Sequence, residues 1–325
     1  MLALDGQDTH FSQFYASPLT LNPALTGIND GTYRVAGIYR NQDRSFTTPY
    51  VTYSGSFDTK LISGLLKNDV FGIGAVFLGD RSGDGVLTMY NAMLSLSYHK
   101  SLGKEHKHFL GIGIQGGFTQ KSVNWNQLTF PDQHVNDYFD LANPNHENIA
   151  KGTVSYFDLN AGLLYQGWIK KDVTGIFAGV SFAHLTSPKE SFYGDNVKLP
   201  MRYTAHAGAY IKLAKHVFLT PNVLFMYQDK ALQTNLGTAV EYHVDVKKSQ
   251  FVAFIGVWDR IKDAFITSAG IEYYKVRISF AYDITTSPLT YATQNRSAFE
   301  LALIYTGFIK SKEVQYPQLV PCPRM

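Results

Sequence analysis

A single cysteine, Cys322, is the only thiol in the 325-residue sequence. Neither an internal disulfide nor a zinc cluster of the usual Cys spacing can therefore hold the fold. Charged side chains make up only 17%, where soluble domains carry roughly a quarter. The formal net charge of +3 is too close to zero to recommend a nucleic acid as partner. No apolar run approaches the roughly 18 to 20 residues of a membrane-spanning helix, because polar residues interrupt every stretch within a few positions. No Gly-rich segment leads into the lysine and helix of a phosphate loop, and neither a nucleophile elbow nor metalloprotease spacing occurs. The expectation is a protein that is not an enzyme and takes no cofactor.

What the chain does have is 21 Tyr, 22 Phe and 27 Gly, a composition suited to extended strands punctuated by tight turns. Apolar residues alternate with small or polar ones over segments of about ten. From Ala231 to Val244, Leu232, Leu236, Val240 and Tyr242 share one face, and Gln233, Asn235, Glu241 and His243 the other. Val276, Ile278, Phe280 and Tyr282 stand likewise against Lys275, Arg277, Ser279 and Asp283, and Leu110, Ile112, Ile114 and Phe118 against Gly111, Gly113, Gln115 and Gly117. Fourteen such strands account for the chain between Thr32 and Gly307. Fourteen is an even number, as bacterial single-chain barrels require. Connections alternate between short and long: tight turns fall at Lys170–Val173, Ala214–Lys215 and Tyr274–Lys275, while Lys121–Gly152 and Thr186–Pro200 are long and lie at the opposite end. That asymmetry is the one expected of periplasmic turns and extracellular loops. Lysines, among them Lys60, Lys100, Lys104, Lys107 and Lys215, then gather at the inner rim, and acids such as Asp80, Asp132, Glu190 and Asp263 at the outer one.

Alternating strands cross hydrocarbon only as a closed cylinder, because every backbone donor and acceptor must pair within the protein. The fold class expected is all-β: a closed antiparallel transmembrane β-barrel of about 14 strands with a plug-like amino-terminal segment. Tyr33, Tyr50, Tyr98, Tyr165, Tyr210, Tyr242, Tyr273 and Tyr305 are expected in interfacial aromatic belts. A soluble two-sheet sandwich is the competing reading, and it would leave much Tyr and Leu exposed.

The amino-terminal residues do not read as a strand. Pro18 and Pro23 remove donors and hold Ser17 and Asn22 extended, while Phe11, Phe14, Tyr15, Leu19, Leu21 and Leu25 offer large apolar area that needs a surface to pack on. The lumen or its periplasmic mouth would supply that surface. Residues Gln7 to Gly27, QDTHFSQFYASPLTLNPALTG, followed by Tyr33-Arg34-Val35 and Tyr39-Arg40-Asn41-Gln42, resemble the amino-terminal signature of the PorP/SprF family. The ending Pro321-Cys322-Pro323-Arg324-Met325 is similar to that family's Cys-Pro-Arg terminus, with Met325 where an aromatic residue is more familiar, and Leu128-Thr129-Phe130-Pro131-Asp132-Gln133 resembles a recurring loop motif. The resemblance implies a non-enzymatic outer-membrane barrel of the type IX secretion system that, in gliding bacteria, exports or anchors large adhesins. Its implied partners are outer-membrane lipid, periplasmic secretion-apparatus proteins and a large secreted surface adhesin.

The chain divides on this reading into residues 1–6, compatible with the end of an export signal; 7–31, the plug or lead-in; 32–309, the barrel; and 310–325, a periplasmic tail. Candidate partner-binding residues are Phe11, Phe14, Tyr15, Asn22 and Pro23 in the plug, and Pro321, Cys322, Pro323 and Arg324 in the tail. The prolines of the tail favour an extended peptide that loses little freedom on being bound. Other chemistry has plainer explanations. His206 and His243 fall on polar strand faces near Glu241 or Glu272 and fit a lumenal network; His106 and His108 fit a solvated turn; the acids of Asn124–Ala150 lack the ordered spacing of a calcium loop. The alternative function is a transport barrel for small hydrophobic or polar solutes.

Overall fold

The computed structural model describes residues 8–42, 49–61, 69–83, 87–125, 128, 130–135, 138–140, 143, 151–170, 173–244, 251–288 and 296–309. Residues 1–6 and the tail with Pro321, Cys322, Pro323 and Arg324 lie outside them. Sixteen strands follow in order: β1 Tyr33–Gln42, β2 Tyr50–Leu61, β3 Val70–Ser82, β4 Leu87–Leu102, β5 His108–Ser122, β6 His134–Val135, β7 Tyr138–Phe139, β8 Thr153–Lys170, β9 Thr174–Ala183, β10 Arg202–Lys212, β11 Val217–Gln228, β12 Ala231–His243, β13 Phe251–Arg260, β14 Ala264–Tyr273, β15 Val276–Thr285 and β16 Arg296–Gly307. Fourteen of them form one closed antiparallel barrel, and β6 pairs with β7 in a small separate ribbon on the long connection between β5 and β8. The seam is a full ladder from Tyr33 opposite Gly307 to Gln42 opposite Ala298. Closure excludes the sandwich.

Side-chain polarity decides which face points where. Leu232, Leu236 and Tyr242 are exposed, whereas Gln233, Asn235, Glu241 and His243 on the same strand are buried. Leu110, Ile112, Ile114 and Phe118 face outward as well, and Phe118 is 67% exposed. An apolar exterior over a polar interior is the reverse of a soluble protein; it is stable only where the solvent outside is hydrocarbon. None of the described helices is long and apolar enough to cross a membrane, and crossing falls to the strands. Tyr33 packs near Phe57 and Tyr305, and Tyr53 near Phe77, with tilted rings, pairing aromatics across neighbouring strands.

Turn chemistry agrees with the connections. Asp229 and Lys230 both have positive φ, as a two-residue hairpin between twisted strands requires. Two expectations need correction. Tyr210 is buried against Trp168 and Phe218 and takes no part in a belt, because the outward positions of β10 are odd-numbered and occupied by Tyr203, Ala205, Ala207 and Ala209. Lys60 is not on the inner-rim surface but buried, donating to the Asn29 carbonyl.

Candidate functional site

Residues 8–32 run through the lumen from one mouth to the other. Thr32 donates its backbone N–H to Gly307 O at the inner end, and Asp8 donates to the Gln228 side chain at the outer end. The local conformation follows from the prolines: Pro18 and Pro23 each open a short helical turn, Pro18–Leu21 and Pro23–Leu25. Proline suits a first position, where the missing N–H has no partner to lose. Phe11, Phe14, Tyr15, Ala16, Leu21, Ala24, Leu25 and Ile28 form the centre of the hydrophobic core, packed on wall residues that include Leu164, Leu224, Trp258 and Ile266. The ring of Tyr15 lies 5.6 Å from that of Trp258, whose indole donates to Asn222 at 2.8 Å. The core of this barrel is its own amino terminus.

Close approach depends on glycines of the wall. A Cβ on Gly113 would lie 2.3 Å from Ala24 N, one on Gly72 2.3 Å from Thr26 O, and one on Gly162 1.9 Å from Asn22 Oδ1. Over this smooth strip Asn22 is held on every side. Its Oδ1 accepts from Ala24 N at 2.9 Å, and its Nδ2 lies 3.1 Å from Leu163 O, 3.2 Å from Val180 O and 3.1 Å from His206 Nε2. Asn22 is thus a cap for the second turn and a clamp onto β8 and β9 at once.

Charged anchors grip the segment at three heights. Near the inner mouth, Arg34 and its cross-strand neighbour Asp58 form a bidentate pair with Nε–Oδ1 at 2.8 Å. Arg34 also donates to the carbonyls of Ile28 and Leu25, and Asp58 accepts from Gly27 N at 2.9 Å. Higher up, Arg40, Arg260, Asp283 and Glu300 form a buried quartet with paired charges. Glu300 accepts the backbone N–H groups of Ser12 and Gln13 at 2.6 and 2.8 Å, and Ser12 Oγ donates to Asp283 at 2.7 Å. Two positive and two negative side chains balance, and Ser12 and Gln13 of the plug supply donors to both carboxylates, which lowers the cost of burying such charges.

The third anchor stands at the outer mouth. Asp8 Oδ2 lies 2.6 Å from His184 Nε2 and 3.1 Å from Arg202 Nη1, and His184 Nδ1 lies 2.6 Å from Asp158. Burial disfavours the imidazolium of His184, but the hydrogen bonds to Asp158 and Asp8 outweigh it and push the pKa up to about 9. Burial equally opposes the Asp8 carboxylate, yet Arg202 and His184 hold its pKa well below the usual carboxylate range.

Phe11, Phe14, Tyr15, Asn22 and Pro23 therefore lie together inside the barrel, all buried against its wall. Their partners on the wall were not singled out from the sequence. Arg34 and Arg40 sit within the Tyr-Arg pairs noted above, and Asp58, Asp283 and Glu300 are charges on otherwise lumen-facing polar positions; isolated charges of both signs on an inward face are the available signal. His243 pairs with Glu241 at 3.1 Å and Arg277 with Glu241 at 2.9 Å, a lumenal network. Among the described residues no group of three or more His, Cys, Asp or Glu is arranged to hold a metal ion.

Comparison with solved structures finds barrels of the same architecture. The toluene transporter TodX of Pseudomonas putida superposes with a TM-score of 0.54 at 11% identity, over 91% of this chain and 93% of that one. The CymD monoaromatic hydrocarbon channel gives 0.49 at 12% identity, over 94% and 96%. At 11% identity the likeness to TodX is one of fold. No curated protein matches the chain. The family model described as type IX secretion system membrane protein PorP/SprF matches residues 3–305, nearly the whole barrel and the segment inside it. The chain belongs to the PorP/SprF family of type IX secretion system membrane proteins and is an outer-membrane β-barrel.

Proposed function

We propose that this barrel is a non-enzymatic anchor in the type IX secretion and gliding apparatus, holding or helping to export a surface adhesin or another secreted partner. The observation that carries the reading is the filled lumen. Eight apolar residues of the amino-terminal segment form the centre of the hydrophobic core, and charged anchors fix the segment at both mouths and between them. A cylinder packed in this way is a rigid body in the membrane and a poor conduit, and rigidity is what a scaffold for a large partner needs. Phe11, Phe14, Tyr15, Asn22 and Pro23 would serve the partner by fixing the shape of the lumenal segment. Pro321, Cys322, Pro323 and Arg324 would offer a periplasmic protein an extended peptide.

Affinity isolation of the tagged full-length protein from cell envelopes tests this. Co-purification of secretion-apparatus proteins or of one very large surface protein is the expected result. Recovery of neither, together with steady solute-accessible conductance in planar bilayers, would overturn the anchor in favour of a transport barrel.

A further inference from the structure

Above the plug, in the outer half of the barrel, a cavity of about 90 Å³ separates the lumenal segment from the wall. Phe11, Phe14, Leu19 and Leu21 line it from the plug, and Leu78, Met93, Leu224 and Met226 from the wall. Its outward end is bordered by Asp8, Thr9 and His10, the stretch tied to the wall by the third anchor, and by the anchor's own wall residues Asp158, His184 and Arg202.

The volume has room for several water molecules, but a buried water needs two to four polar partners. Most polar groups around this space already have partners, and the buried lining atom without one, Arg202 Nε, belongs to the charged cluster at the outer mouth. Asn91 donates to Thr119 Oγ1 at 2.7 Å, Asn160 to Gln115 Oε1 at 2.8 Å, and Gln115 in turn to the Leu19 carbonyl at 3.1 Å. Asn160 Oδ1 accepts from the backbone of His184 at 3.1 Å, and Thr20 donates to Ser17 O at 2.8 Å. Water would enter a room whose hydrogen bonds are made elsewhere. Two methionines supply flexible, polarisable walls that adapt to irregular apolar shapes. An apolar cavity of about 150 Å³ holds benzene, so the enclosed part of this site suits a smaller ligand, on the order of three to five carbons.

We infer that this cavity is a binding site for a small, uncharged apolar solute, reached from the outer face and roofed by the Asp8–His10 strap. The inference is independent of the anchoring role. The solute packs between the plug's aromatic rings and the methionines of β4 and β11, and the strap lies across its way out. Because Asp8 is held by residues of three wall elements, His184 after β9, Arg202 on β10 and Gln228 on β11, the roof moves only when those bonds break.

Crystals of the full-length protein exposed to xenon, to 1-bromopropane and, separately, to sodium bromide test the assignment by anomalous scattering. Xenon and bromopropane peaks within the cavity, with no bromide ion there, are expected. Two cavity-filling variants, Met93→Trp and Met226→Trp, each checked for a folded barrel by heat-modifiable gel migration, should lose both peaks. Bromide or ordered water in the wild-type cavity, absence of both apolar probes, or a bromopropane peak that survives in either folded variant would each overturn the proposal. The wild-type crystals decide the question even where neither variant folds.

Discussion

Raising the pH should unfasten the outer end of the lumenal segment long before the barrel itself is disturbed. His184 stands between Asp8 on the segment and Asp158 on the wall, 2.6 Å from each. Elevation of its pKa from 6.5 to about 9 corresponds to about 3 kcal/mol of preference for the charged ring. Asp158 stays beside His184 when the strap lifts, so only the share due to Asp8, about 1–2 kcal/mol, belongs to the latch. The sign follows from the raised value: the contribution is complete while His184 is protonated both latched and released, and it disappears as pH rises through about 9. Asp8, with its pKa lowered, contributes above its ordinary value near 4 and loses its part only in strong acid. The latch is therefore whole from about pH 5 to 7. Hydrogen exchange of the amides of residues 9–14, corrected for the intrinsic pH dependence, should accelerate about tenfold between pH 7 and 10. In His184→Gln it should be fast already at pH 7 and flat thereafter. Equal protection of wild type at pH 7 and 10.5, or an unchanged pH profile in the variant, would refute the assignment of the latch to His184.

Three other outcomes are expected. Gly162→Ala puts a methyl where Asn22 Oδ1 lies 1.9 Å away; it should cost about 1–3 kcal/mol in urea unfolding, and Asn22→Gly in the same chain should recover part of that loss, a coupling readable as a double-mutant cycle. Glu300→Ala strips Arg40 of one carboxylate and leaves Ser12 N and Gln13 N without their acceptor, with an expected cost of about 3–5 kcal/mol for an uncompensated buried charge and a lowered unfolding midpoint. Leu236→Arg, on the lipid face near mid-strand, should cost about 2–4 kcal/mol and reduce folded barrel in a bilayer insertion assay, whereas the adjacent inward Gly237→Ala would act through packing on Trp258.

Strand placement was legible because a period of two over ten residues is a strong local signal, and turn residues such as Asp229 and Lys230 mark its ends. Facing was legible for the same reason: Leu110, Ile112 and Ile114 against Gly111, Gly113 and Gln115 allow one sensible assignment. What no local pattern carries is which inward residue meets which part of the plug. Ser12 and Glu300 are 288 positions apart, and their contact depends on the height at which the segment passes each strand. The glycine strip was read only as a small polar face; its steric purpose emerges when Gly113 and Gly162, direct cross-strand partners, are seen beneath Pro23 and Asn22. Tyr210 was misplaced because a tyrosine near a strand end suits a belt equally well inside or out until the register is known.

The seam between β1 and β16 joins the strand that directly follows the lumenal segment to the last strand of the chain. Assembly must then seal the wall around a chain already laid inside, with Arg34 and Arg40 waiting on the first strand and Glu300 arriving on the last.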